Sequence, residues 1–229
     1  MSLLPGKFLL FAQGRTGSTL LGDLLDQHPA IHFGHEILAE PVRSPRSTIE
    51  RLRFRHARHV VGFHVKIYQL TDQQGIANVR GWLRNLSRCG WQVISLRREN
   101  VLRHVLSNIT AIERDSYHDR SGAGADRGAV MVDIPDLLHW MNRRIELAAD
   151  EAAALADVPH HPLTYEHDLQ EAAAWPATMA GVFEYLDLEP LEVSSALRRT
   201  NPGPLPRLIT NYGEVAAAVT SAGYARYLH

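Results

Sequence analysis

The stretch FLLFAQGRTGSTLLGDLLDQHP, which runs from Phe8 to Pro29, decides the fold of this chain. Its first four residues form an apolar run of strand length, and a glycine-bearing turn follows at residues 14–17. Leucines on one face then predict a helix that is capped by Ser18 or Thr19. Backbone N–H groups converge at such a turn, and the helix dipole adds positive potential. The stretch therefore predicts a loop that binds a phosphate or a similar anion.

This loop departs from two common nucleotide-binding patterns. A Walker A loop requires G-x-x-x-x-G-K-[ST], whereas residues 12–19 read AQGRTGST, with closer glycines and an arginine inside the loop. The fingerprint G-x-G-x-x-G of dinucleotide-binding folds is absent from it. Both departures argue against ordinary nucleoside triphosphate hydrolysis and against dinucleotide binding. The simple alternative is a capped helix that follows a strand and binds nothing.

Composition narrows the class of protein. A length of 229 residues suits one sizeable domain that spans 1–229. The formal net charge of −1 argues against a general attraction to nucleic acid. The single cysteine, Cys89, excludes an internal disulfide and indicates a reducing compartment. The first residues carry neither a signal-peptide pattern nor a membrane span, so we predict a cytoplasmic protein without a transmembrane segment. A homo-oligomer stays open.

Strand patterns alternate with helix patterns along the chain. Strands are predicted at residues 7–12, 60–67, 91–96 and 162–165. Helices are predicted at 18–27, 48–58, 77–86, 101–112, 134–156, 172–186 and 214–219, and a polar loop at 114–127. This alternation predicts an α/β fold with a mostly parallel sheet and helices on both faces. Ligands bind such sheets at the carboxyl ends of the strands.

Two more motifs follow the first, VISLRRENVLRHVLS at residues 93–107 and LTYEHDL at 163–169. Together with the tail NPGPL at 201–205, their order and spacing resemble the sulfotransferase family, most closely the bacterial nodulation and glycolipid type. The resemblance implies a three-layer, P-loop NTPase-like fold. It implies the donor 3′-phosphoadenosine 5′-phosphosulfate (PAPS), the product adenosine 3′,5′-bisphosphate and no metal. The implied acceptor is a hydroxyl of a small molecule, a glycolipid or a carbohydrate.

The resemblance also implies which residues bind the donor. The loop matches the family's 5′-phosphosulfate site, and its matching residues are Gly14, Arg15, Thr16, Gly17, Ser18 and Thr19. Arg98 and Ser107 match the residues that bind the 3′-phosphate, with Arg97 as an alternative. A solvated strand end and a surface serine are the simpler interpretation of this pair. Arg199 is a candidate for a basic residue in a late loop over the nucleotide, or it ends a helix.

A catalytic base is expected soon after the first helix, where residues 31–38 read IHFGHEIL. Glu36 matches the position of the glutamate base in polysaccharide-type sulfotransferases, and His35 is the second candidate. An unperturbed carboxylate is a weak base, so Glu36 would need burial or a like-charged neighbour to raise its pKa. Glu40 is close enough to help if the segment is helical. A carboxylate at a helix N-terminus is the structural alternative for Glu36.

The predicted strand around VGFHVK, residues 61–66, supplies two further candidates. Related enzymes often carry a lysine just after Gly-Phe, where this chain has His64 and then Lys66 two residues later. Period-two alternation places both side chains on one face of the strand. Lys66 could stabilise the sulfate or the bridging oxygen, and His64 could do so when protonated.

Two other functions remain open from the sequence. One is a non-catalytic module that binds a nucleotide or phosphate on the same fold, and the other is an atypical P-loop kinase. The thirteen histidines show no spacing typical of a metal site. We expect the basic run at residues 51–58 to be a solvated helix face, with an anionic acceptor or a lipid headgroup as the alternative partner.

Overall fold

The computed structural model describes residues 6–113, 129–197 and 201–229. The loop predicted at 114–127 and the candidate Arg199 lie outside the described residues. The chain forms two compact units. The first comprises the described part of residues 1–97 together with Ala148–Ser195, and the second comprises the described parts of 98–147 and 196–229. A single domain over 1–229 stays a prediction.

The first unit contains a five-stranded sheet. Its strands are β1 (Lys7–Ala12), β2 (Ile31–Phe33), β3 (Val60–Val65), β4 (Gln92–Arg97) and β5 (His161–Thr164). They lie in the order β2-β3-β1-β4-β5, and each neighbouring pair is parallel. The prediction of an α/β fold with a parallel sheet is therefore confirmed, and β1 is the central strand from which the anion-binding loop departs.

Helices follow most of these strands. The α-helices within the described ranges are α1 (Ser18–Leu25), α2 (Pro45–Arg55), α3 (Val79–Arg88), α4 (Val101–Glu113), α5 (Ile134–Leu155), α6 (Trp175–Tyr185), α7 (Leu205–Leu208) and α8 (Tyr212–Ser221). Single π-helical turns span Gln69–Gln73 and Tyr165–Leu169, and 3₁₀ turns span Ala172–Ala174 and Ala225–Leu228. The predicted helices thus form, with ends displaced by a few residues.

Both faces of the central strand are buried. Phe8 and Leu10 belong to an apolar cluster that includes Leu21 of α1 and Met179 of α6. Leu9 and Phe11 alternate to the opposite face and are also buried. A strand that is apolar on both faces is typical of a parallel sheet covered on both sides. Burial of these side chains is the main contribution that holds the sheet and the loop after it in place.

The second unit has an apolar core of its own. It is built from residues of α4, α5, α7 and α8, with Leu102, Met141 and Val215 at its centre. The side chain of Asn211 fixes the segment before α5, because it accepts from the N–H of Val132 at 3.0 Å and donates to its carbonyl at 2.9 Å. These two bonds satisfy backbone groups that no helix or strand pairs.

Two local predictions were wrong. The residue that caps α1 is Gly17, in the left-handed region at φ 93°, and it makes no side-chain cap bond; Ser18 is already the first helical residue. The short edge strand β2 was missed, because three residues carry too little alternation to indicate a strand. At α2, by contrast, Ser44 accepts from the N–H of Ser47 at 3.3 Å, and Pro45 opens the helix.

Candidate functional site

The loop that the sequence predicts to bind an anion, called the anion-binding loop below, consists of residues 13–17, between the end of β1 and the start of α1. Arg15 and Gly17 both have left-handed backbones, at φ 69° and φ 93°. The buried hydroxyl of Thr16 donates to the carbonyl of Gln13 at 2.7 Å. Left-handed residues in such turns are typical of backbone sites that bind anions. Because the hydroxyl hydrogen of Thr16 is used within the loop, this side chain shapes the loop rather than donating to a ligand.

Tyr165, from the third sequence motif, packs against this loop. A side chain at Gly17 would place its Cβ only 2.6 Å from Cδ2 of the Tyr165 ring. Gly17 is therefore required twice, once for its positive φ and once for the approach of this ring. Tyr165 follows β5 directly and is itself buried. The first and third motifs, which are far apart in the chain, thus meet at the loop.

A second group of polar residues surrounds the carboxylate of Glu36, in the turn after β2. Lys66 Nζ lies 2.6 Å from Glu36 Oε2, and Gln69 Nε2 donates to the same oxygen at 2.7 Å. On the other oxygen, His64 Nδ1 lies 3.5 Å from Oε1. We call these four residues the Glu36 cluster. As the alternation along β3 predicts, His64 and Lys66 reach the same carboxylate.

His64 connects this cluster to the end of β1. Only 3% of the surface of His64 is exposed, so its ring is buried. Its Nε2 lies 3.1 Å from the carbonyl oxygen of Ala12. A carbonyl oxygen only accepts, so Nε2 carries a hydrogen. Its Nδ1 faces the carboxylate of Glu36. His64 thus lies between the carboxylate of Glu36 and the end of β1, with one ring nitrogen facing each.

The Glu36 cluster lies beside the anion-binding loop. A Cβ at Gly14 would be 3.5 Å from Cε and 3.7 Å from Nζ of Lys66. The loop follows β1 and Lys66 follows β3, which are adjacent parallel strands. Both groups therefore occupy the carboxyl edge of the sheet, where ligands of such folds bind. A carboxylate, a lysine and an anion-binding loop are thus within reach of one bound molecule.

The charge state of Glu36 follows from these contacts. Burial alone would raise its pKa, but hydrogen bonds from His64 and Lys66 and their positive charge outweigh burial and hold the pKa at about 2. The raised pKa that Glu36 was expected to need as a base is therefore not found, and this expectation was wrong. It also invoked Glu40 on a helix, whereas residues 36–40 form turns. Glu36 is therefore an anion at neutral pH, paired with Lys66 and in contact with His64.

Acidification is expected to remove the contribution of Glu36 to folding stability. Its pKa is about 2 when folded and 4.5 ordinarily, so the contribution is complete above about pH 4.5 and disappears as the pH falls toward 2. Urea unfolding of the wild type and of Glu36→Gln at pH 6 and pH 3 measures this. The difference between their midpoints should shrink at pH 3. A difference that is equal at both pH values would contradict the prediction, and Glu40→Gln controls for loss of an exposed carboxylate.

His35 does not join the Glu36 cluster through its side chain. Its imidazole is 67% exposed and places Nε2 3.5 Å from Asp26 Oδ2. Only its backbone takes part, since the carbonyl of His35 accepts from the N–H of His64 at 2.8 Å. A role for His35 as the base stays a prediction, and the structure gives its side chain a different partner.

The candidates for the 3′-phosphate belong to the second unit. Arg98 is half-buried and directly follows β4, and Ser107 is buried within α4. Their assignment to a phosphate stays a prediction, as does that of Arg199.

Sequence reasoning missed two polar contacts near the loop. Gln69 contacts two other members of the Glu36 cluster. Its Nε2 donates to Glu36, and its Oε1 accepts from the N–H of Lys66 at 2.9 Å. Gln13 donates from Nε2 to Glu151 Oε2 at 3.1 Å, and Glu151 lies on α5 with only 9% of its surface exposed. No motif singles out a lone glutamine or a glutamate among alanines. Only the folded chain brings these residues together.

The fold and the site define an α/β protein with a glycine-bearing loop after its central strand and a carboxylate–lysine–histidine cluster at the carboxyl edge of its sheet. The chain is similar to Nodulation protein H of Rhizobium meliloti, with 23% identity over 246 residues. The alignment covers 99% of this chain and 96% of that protein. No protein-family model matches the chain. At this identity the similarity suggests a distant relationship along the whole length.

Two features are absent from the residues that the structure describes. None of their helices is long and apolar enough to cross a membrane. Among the same residues, no three histidine, cysteine, aspartate or glutamate side chains are grouped to hold a metal ion. Independence of the protein from metal stays a prediction.

Proposed function

We propose that the protein is a sulfotransferase, which moves a sulfuryl group from PAPS to a hydroxyl of a small-molecule, glycolipid or carbohydrate acceptor. The observation that carries this proposal is the position of Lys66, which contacts Glu36 and lies against Gly14 of the anion-binding loop. A base, a cation and an anion site are thereby adjacent. The similarity to a nodulation protein agrees with the resemblance of the three motifs to nodulation-type sulfotransferases.

The residues of the loop fit a sulfate group. Backbone N–H groups at a helix start, with an arginine in the loop, neutralise an anion without a metal ion. We assign the 5′-phosphosulfate of the donor to residues 14–19, with Arg15 as the charged side chain. Lys66 is the candidate that stabilises the oxygen between sulfur and phosphorus as negative charge develops there. Arg98, Ser107 and Arg199 stay the candidates for the 3′-phosphate.

Glu36 is the proposed base. The acceptor oxygen forms a bond to sulfur, and its proton goes to the Glu36 carboxylate. The bond from sulfur to the bridging oxygen breaks, and its electron pair stays on the phosphate oxygen of the leaving adenosine 3′,5′-bisphosphate. A carboxylate with a pKa of about 2 accepts a proton poorly. However, the hydrogen bond from Lys66 is one cause of this low pKa. When Lys66 donates to another anion, burial raises the basicity of Glu36. Binding of the donor and activation of the base are thus coupled through Lys66.

Calorimetry with adenosine 3′,5′-bisphosphate, followed by single-turnover transfer from PAPS to a panel of alcohols, tests this function. Both measurements are made in the presence of a metal chelator. We expect micromolar or tighter nucleotide binding and transfer to at least one alcohol. Failure of the folded protein to bind the nucleotide would overturn the proposal, as would magnesium-dependent binding of ATP in its place. Binding without transfer to any alcohol would instead support the non-catalytic module.

A further inference from the structure

Helix α2 (Pro45–Arg55) is attached to the first unit by one narrow side. Ile49 is its one buried residue. Leu52 is half-buried and packs on the backbone of Gly34, where a Cβ would lie 2.7 Å from Leu52 Cδ2. The opposite side, with Arg51, Phe54 and Arg55, is exposed. The helix therefore presents a broad face that its own unit does not cover.

Positive charge is concentrated on and around this helix. Residues 43–58 contain six arginines and one acidic residue, Glu50, in a chain whose formal net charge is −1. Glu50 is engaged by Arg53, whose Nη1 lies 2.9 Å from Glu50 Oε2. The net charge of this short segment is thus strongly opposite to that of the rest of the chain. Such local asymmetry indicates a partner that is anionic and extended.

Phe54 stands in the middle of this positive face. It is 71% exposed, the highest value among the large apolar side chains that the structure describes. Arg51 lies one turn before it on the same side of the helix, and the exposed Arg58 follows in the turn after the helix ends at Arg55. An exposed aromatic ring lowers its free energy when it leaves water. Arginines are attracted to an anionic membrane surface, and an aromatic ring among them can enter the boundary between headgroups and acyl chains.

A cleft at the beginning of α2 adds polar donors to this face. It is lined by Val42, Arg43, Ser44, Ser47, Thr48 and Arg51. Two guanidinium groups and three hydroxyls can hydrogen-bond a phosphate group. The cleft and Phe54 are on the same helix, so phosphate binding and burial of the ring can occur together.

We propose that this face, which comprises Arg51, Phe54, Arg55 and Arg58 and which we call the α2 face, docks on an anionic phospholipid bilayer. The arginines contact lipid phosphates, and Phe54 enters the layer between headgroups and acyl chains. A bilayer surface is the partner that offers both a dense array of anions and an apolar layer behind it. This docking is peripheral and independent of the proposed sulfuryl transfer.

Co-sedimentation with lipid vesicles tests the proposal on the full-length protein. Vesicles of phosphatidylcholine alone are compared with vesicles that also contain phosphatidylglycerol, at low and at high salt. We expect binding to the anionic vesicles to be at least about tenfold stronger, since each arginine near an anionic surface contributes favourably. High salt should weaken it through screening. Equal binding to both vesicle types, or no binding to either, would overturn the proposal.

Variants distinguish vesicle binding through the α2 face from binding through the overall charge of the protein. Arg55→Glu is expected to lower partitioning to anionic vesicles about tenfold, whereas Arg88→Glu, the matched change at an exposed arginine in the last turn of α3, should leave it unchanged. Phe54→Ser should lower it severalfold although the charge is kept. Circular dichroism verifies that each variant is folded.

Two results with these variants would contradict lipid docking. One is an equal loss in Arg55→Glu and Arg88→Glu, which would mean that net charge alone acts. The other is unchanged vesicle binding by Phe54→Ser together with equally strong binding of the wild type to a DNA duplex, which would identify a general polyanion site.

Discussion

Glu36→Gln is expected to lower the turnover of sulfuryl transfer at least about hundredfold, because general base catalysis contributes factors of this size. Glutamine has nearly the same shape and keeps an oxygen that can accept from Gln69, but it cannot take a proton from the acceptor. The affinity for adenosine 3′,5′-bisphosphate should stay within about threefold of the wild type. Single-turnover transfer and calorimetry measure the two effects separately.

Glu40→Gln is the matched control for this variant, because Glu40 is an exposed glutamate in the same turn segment. Its turnover should equal that of the wild type. Unchanged turnover in Glu36→Gln would remove Glu36 as the base. Loss of nucleotide affinity in parallel with turnover would show that Glu36 only shapes the loop through Lys66.

Arg15→Ala is expected to weaken binding of PAPS by about tenfold to hundredfold, since a hydrogen bond to a charged group contributes about 1.5–3 kcal/mol. Alanine, like arginine, has a Cβ, so the positive φ of 69° strains both side chains alike. The variant should therefore unfold close to the wild-type temperature while its affinity falls. Competition binding with PAPS, together with thermal unfolding, measures both quantities.

Arg15→Lys refines this test. Lysine keeps the charge but loses the planar fork of donors that pairs with two oxygens of one anion, so an intermediate affinity is expected. Arg88→Ala, at an exposed arginine of α3, should bind as the wild type does. If Arg15→Ala also bound PAPS with wild-type affinity, the loop would not be the phosphosulfate site.

The sheet could be predicted because its strongest signals are local. The strands β1, β3 and β4 are short apolar runs, and burial on both faces demands that composition wherever such a strand lies in the chain. The edge strand β2 has three residues, of which one is half-buried, so its sequence carries hardly any pattern. Its pairing with β3 depends on the neighbouring strand rather than on its own residues.

Part of the candidate site could likewise be predicted from the sequence, and part of it could not. The loop and the shared orientation of His64 and Lys66 follow from glycine spacing and from the alternation of a strand. The direction of the pKa shift at Glu36 does not, because it depends on distances of 2.6 Å and 3.5 Å to side chains of another strand. Gln13 and Glu151 are a similar case, since 138 positions separate them and only folding makes them partners.

The packing of Tyr165 on Gly17 has a consequence for the order in which this protein matures. The loop is synthesised early, whereas the Tyr165 ring that packs against it belongs to a much later part of the chain. Contacts of such large sequence separation form late in folding. A nascent or prematurely terminated chain that ends before β5 therefore has the glycines and arginine of the loop without one of its walls. If the loop binds the proposed anion, we expect such fragments to bind it more weakly than the full chain does.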